Sequence, residues 1–141
     1  MNRRFLWIVG LGLSAVSCGG DGVLDTGSPQ PPNGAPTLAS LQVSIFTPRC
    51  AVEGCHAPPA PQQGMDLSAG SLHAYTVGVD STELSGFKRI AAGNSADSYL
   101  YMKISADPRM AADRMPDDGT TLSTAEIQAI GAWIDAGAKN D

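Results

Sequence analysis

Between Arg49 and Pro58 the chain reads Arg-Cys-Ala-Val-Glu-Gly-Cys-His-Ala-Pro, so two thiols lie five positions apart and a histidine directly follows the second. Few side-chain sets restrict a small chain more. Two cysteines this close can join each other, share a metal ion, or anchor a prosthetic group while the histidine ligates its metal. Each use dictates what the surrounding structure encloses. A disulfide closes a short loop and leaves His56 an unexplained neighbour. Zinc would draw on Cys50, Cys55, His56 and a fourth ligand such as His73, although paired C-x-x-C knuckles are absent. An anchored group needs an apolar enclosure with a further ligand elsewhere in the chain.

The redox compartment bears on the choice. Arg3 and Arg4 form a positive n-region, residues 5–16 an apolar h-region, and small residues precede Cys18, so residues 1–17 read as an export signal. The apolar run is too short to span a bilayer comfortably. Ala15-Val16-Ser17-Cys18-Gly19 resembles the lipobox of bacterial lipoproteins, which implies cleavage before Cys18, acylation of its thiol, and anchoring to the outer membrane with the domain outside the cytoplasm. An ordinary secretory signal is the alternative. If Cys18 carries lipid, the three cysteines of the chain divide into one anchor and one pair, Cys50 with Cys55. Without Arg3 and Arg4, seven basic residues remain against fourteen acidic ones, a net charge of about −7. That balance disfavours nucleic acid and suits a basic partner protein.

At 141 residues the chain has room for one domain. Residues 18–37 are mostly Gly, Pro, Ser, Asp and Asn, with Val23 and Leu24 the only sizeable apolar residues, and read as a flexible tether. The folded domain then runs over residues 38–141. A first helix is expected with Ser40 as cap, Leu41, Val43, Ile45 and Phe46 as its buried face, and Pro48 ending it, because the residue before proline leaves helical geometry. A proline-rich loop follows His56. Ser68 is expected to cap a short helix through Tyr75, while residues 77–84 fit either a loop or a short strand. Ser95 is the expected cap of a helix carrying Leu100, Lys103 and Ile104. In that helix Tyr99 and Tyr101 take opposite faces, so at most one is buried. Residues 107–119 have no periodicity. Ser123-Thr124-Ala125-Glu126 is a capping box, with Leu122 and Ile127 in staple positions. Ile127, Ile130, Trp133 and Ile134 then form one helical stripe, and Gly137 supplies the left-handed stop. No strand pattern competes, so the expected class is mostly α with long loops.

In this order the pieces resemble the small c-type cytochromes, in particular the cytochrome c-like domains of exported bacterial proteins. The resemblance rests on Cys50…Cys55-His56, Gly93-Asn94-Ser95…Ser98-Tyr99-Leu100, Met115-Pro116-Asp117-Asp118-Gly119, and Leu122-Ser123…Trp133-Ile134-Asp135-Ala136-Gly137-Ala138. It covers nearly all of residues 38–139. It implies one haem c attached covalently to Cys50 and Cys55, with His56 as proximal and Met115 as distal ligand of the iron. With both axial positions filled, it implies electron transfer between proteins rather than catalysis. No Ser-His-Asp set, acid pair or phosphate-binding glycine loop points to an enzyme. The family's usual pattern is C-x-x-C-H, whereas the spacer here has four residues and must loop out, which Gly54 permits.

The residues alone leave alternatives open. A haem-free domain stapled by a Cys50–Cys55 disulfide would be a binding or structural lipoprotein. Met110, Met102 or His73 can replace Met115 as distal ligand, and Met115 can be an ordinary loop methionine. Arg49 and Arg114 flank the two ligand segments and can pair with haem propionates or remain solvated.

Overall fold

The computed structural model describes residues 34–141. The expected signal, the lipid site at Cys18 and most of the tether lie outside the described residues. Helix α1 (Leu38–Leu41), a π-helical turn (Gln42–Phe46) and α2 (Thr47–Arg49) form one unbroken run. Short α3 (Leu72–Thr76), two-turn α4 (Tyr99–Ser105) and three-turn α5 (Thr124–Asp135) follow, joined by long loops. Among the described residues there is no sheet; residues 77–98 are laced by three isolated bridges, Val77 with Ile90, Asp80 with Lys88, and Lys88 with Ser98. No described helix is long and apolar enough to cross a membrane.

The stripe on α5 is the centre of the core. Ile130, Trp133 and Ile134 are buried, with Ile127 partly so, and they meet Leu41, Ile45 and Phe46 from the first run and Leu100 and Ile104 from α4. Phe46 and Trp133 meet edge to face with ring centroids 6.4 Å apart. Burying side chains of this size stabilises the fold by roughly 1.5–3 kcal/mol each. Ser123 accepts from the Glu126 amide while Glu126 accepts from the Ser123 amide, and α5 closes on Gly137 with φ +106°. There Ala138 N–H reaches the Trp133 carbonyl and Gly137 N–H the Ile134 carbonyl, the paired bonds of a Schellman stop. The chain end returns to the first helix: Asp141 accepts from the Leu38 and Ala39 amides.

Several local expectations are corrected. Thr37, not Ser40, caps α1, its hydroxyl accepting from the Ser40 amide at 3.0 Å. Val43 points to solvent at 75 % exposure, because two residues on from Leu41 it lies roughly opposite that residue on the helix, off the face that Leu38, Leu41, Ile45 and Phe46 bury. Pro48 does not end the run. Its ring would crowd the carbonyl four residues back, and the π turn, in which Thr47 N–H bonds the Gln42 carbonyl, accommodates it before Arg49. Ser68 and Ser95 cap nothing. Ser68 offers its carbonyl to Ser71 and Leu72 ahead of α3, and Ser95 bonds the Asp135 carboxylate with its amide and hydroxyl. Of the two tyrosines on α4, only Tyr99 is fully buried.

The capping box on α5 is tested by Ser123→Ala, which should lower unfolding free energy by about 1 kcal/mol in urea denaturation.

Candidate functional site

The cysteine segment leaves the core directly. Cys50 terminates α2, and both its amide and that of Ala51 bond the carbonyl of Phe46, at 2.9 and 2.7 Å. The four-residue spacer folds back on itself: Cys55 N–H meets the Val52 carbonyl and His56 N–H returns to the Cys50 carbonyl at 3.2 Å. Gly54 makes the turn possible at φ +84°, a conformation in which a side chain is strained. The extra residues thus bulge outward, and Cys50 and His56 stay adjacent.

A second layer holds the histidine. The one-turn 3-10 helix Gln62–Gly64 starts with Gln62 N–H on the Cys55 carbonyl, and the Gln62 side chain donates to Gly54. Leu67 N–H bonds the His56 carbonyl, and His56 Nδ1 lies 3.2 Å from the Met65 carbonyl. A carbonyl only accepts, so Nδ1 carries the proton and Nε2 keeps the lone pair. This is the arrangement that orients an imidazole as a metal ligand. Burial holds the His56 pKa below its ordinary value, which favours the neutral, ligating form.

Met115 arrives from the aperiodic segment, which α4 ties down. Met115 N–H bonds the Lys103 carbonyl, Tyr99 Oη and Lys103 Nζ both donate to the Ala111 carbonyl, and Arg114 forks onto the Ile104 carbonyl. Arg114 is therefore committed to the end of α4 and does not border the cavity described next.

Cys50, Cys55, His56 and Met115 all line one cavity of about 260 Å³. Phe46, Leu67, Leu100, Ile104, Leu122 and Ile130 supply apolar lining, while Arg49, Ser81, Thr82, Glu83, Arg89 and Lys103 supply polar lining. Both thiols are free, Cys50 half-buried and Cys55 exposed. The other ligand candidates are elsewhere. Met102 is fully buried in the core, Met110 does not border the cavity, and His73 Nε2 donates to the Ala138 carbonyl at 3.0 Å. Arg49 does border it, but donates to Thr120 and Thr121 and faces Glu126.

The donor set suggests two occupants, zinc and haem, which make different demands. Zinc needs its ligands within about 2.0–2.3 Å of one point. Among the described residues no three of His, Cys, Asp and Glu gather closely enough to hold a metal ion. A haem of the covalent kind would draw instead on two thiols, an imidazole and a further donor such as a thioether around an apolar space. Two free thiols, an imidazole held through Nδ1 by the Met65 carbonyl and a thioether all line the one cavity, whose walls are largely apolar, and that chemistry fits the demand.

Arg89 and Glu83 carry no sequence signal for this site, and Lys103 fits the sequence pattern only as a helix residue. Lys88-Arg89 is a basic pair before apolar Ile90, a cue without periodicity, and nothing local turns Arg89 inward. Neither the family models, the curated proteins nor the solved structures searched contain a match to the chain.

The two thiols should differ in reactivity. Burial, opposed by the nearby Arg49 charge, pushes Cys50 from about 9 up to about 11. At neutral pH its thiolate fraction falls by about a hundredfold relative to an ordinary thiol. Iodoacetamide should therefore alkylate exposed Cys55 well ahead of Cys50 in the reduced chain, as peptide mass mapping would read. The Cys50 rate should keep rising about tenfold per pH unit toward pH 11. Equal rates at pH 7 would contradict the burial of Cys50.

Proposed function

We propose that this chain is a lipid-tethered, monohaem c-type cytochrome that transfers electrons outside the cytoplasm. The observation that carries the reading is the convergence of Cys50, Cys55, His56 and Met115 on one apolar-walled cavity, from segments up to sixty-five positions apart. The short first run crossing a capped C-terminal helix through Phe46 and Trp133 suits a cytochrome c-like domain.

In this reading Cys50 and Cys55 would hold the haem covalently, and His56 Nε2 and the Met115 thioether would ligate its iron. When bound, the haem supplies reversible one-electron exchange. The remaining work belongs to the protein. Met65 fixes the histidine ring through its carbonyl, and the bonds from Tyr99, Lys103 and Arg114 hold the Met115 segment to α4. Phe46, Leu67, Leu100 and Ile104 exclude water, which limits solvent reorganisation as charge changes. With His56 and Met115 both committed to the iron, no position would be open for substrate, which favours a carrier over an enzyme. Cys18 would tether the domain to the outer membrane, and the acidic balance of the chain suits a basic redox partner.

Coexpression with a cytochrome c maturation system tests this. One haem per chain should survive denaturation on the polypeptide. A colourless product with a Cys50–Cys55 disulfide by mass spectrometry would replace the cytochrome with a haem-free, disulfide-stapled lipoprotein domain. Met115→Ala should retain the haem and abolish the far-red sulfur-to-iron band; a persisting band would move the ligand to another methionine.

A further inference from the structure

Three cations border the cavity, and two have carboxylate partners. Arg49 lies 3.8 Å from Glu126, and Lys103 lies 3.6 Å from Glu83. Arg89 differs. It is only 8 % exposed, and among the described residues it has no carboxylate within ion-pairing reach. Its bonds go to neutral carbonyls: Nη1 to Gly64 at 3.3 Å and Tyr75 at 2.9 Å, and Nη2 to Gln63 at 2.6 Å. A guanidinium has five N–H groups. With three engaged, Nε–H and one Nη2–H remain. Carbonyl dipoles soften a buried charge but do not neutralise it, and an uncompensated buried charge is costly.

The neighbourhood of Arg89 is the polar part of the lining. Its partner residue Gln63 accepts from the Thr82 hydroxyl at 3.1 Å, and Ser81 and Glu83 flank Thr82 in the chain. Glu83, the nearby acid, is turned to Lys103. A cavity that combines this part with Phe46, Leu100, Ile104 and Ile130 suits an occupant with an apolar body and an anionic end.

We propose that the occupant of this cavity carries a carboxylate and that Arg89 receives it. The inference rests on the haem reading, in which the carboxylate is a ring propionate, and it assigns that role to Arg89 rather than to Arg49 or Arg114. Arg89 has a structural task as well, since it clamps the carbonyls of the turn that supports His56. The test must separate the two tasks.

The probes are metal-free protoporphyrin IX and its dimethyl ester, bound to the full chain with thiols reduced and followed by porphyrin emission. The diacid should bind at least about tenfold more tightly than the diester, the range of a charge-assisted hydrogen bond. In Arg89→Gln the ratio should fall toward one. Where that variant does not fold, Arg89→Lys serves: it keeps the charge, loses the fork, and should lower the ratio severalfold. Equal binding of both porphyrins by the unaltered chain, or an unchanged ratio in a folded variant, overturns the assignment and leaves Arg89 a clamp only. Binding of neither porphyrin overturns the inference together with the haem reading.

Discussion

The edge-to-face contact between Phe46 and Trp133 ties the core to the site. Trp133 is central to the stripe of α5, and Phe46 ends the π turn of the first run. The same Phe46 that is buried against Trp133 gives its carbonyl to the amides of Cys50 and Ala51. The cysteine loop therefore starts from a residue buried in the core. Displacing Phe46 would move Cys50, and through the Cys50 carbonyl also His56. Core and site are two ends of one short covalent path.

Around the cavity, backbone carbonyls do most of the positioning. Met65 orients the imidazole, Ala111 gathers Tyr99 and Lys103, Ile104 takes Arg114, and Gln63 and Gly64 take Arg89. The loops that carry Cys55, His56 and Met115 have almost no regular structure, so their unpaired carbonyls need donors. Buried cationic side chains supply them. Long irregular segments can then border an apolar cavity with these carbonyls satisfied, and among the described residues no buried side-chain nitrogen or oxygen lacks a partner.

The sequence was most legible where a periodic pattern and a local cap agree. The capping box at Ser123, the stripe to Ile134 and the stop at Gly137 appear as read, because each depends on residues within one or two turns. The same locality explains the misreadings. Ser40, Ser68 and Ser95 are good caps by type, but Thr37 competes for the first helix, and Asp135, forty positions away, claims Ser95. Pro48 is a helix breaker only in a regular α-turn, and the π turn was invisible to a 3.6-residue period.

Sequence alone determined the chemistry in reserve: two thiols, a histidine beside them, a Met-Pro-x-x-Gly segment and an apolar helix to close a small core. These follow from residue type and short-range spacing, which the covalent chain carries directly. Only the tertiary structure decided which groups share a space. It brought Met115 rather than Met102, Met110 or His73 to the cavity, turned Arg114 away, and set Arg89 into the wall with no acidic partner among the described residues. Those outcomes depend on which loop each helix holds down and on where buried charge finds carbonyls. Such contacts are long-range, and no local pattern encodes them.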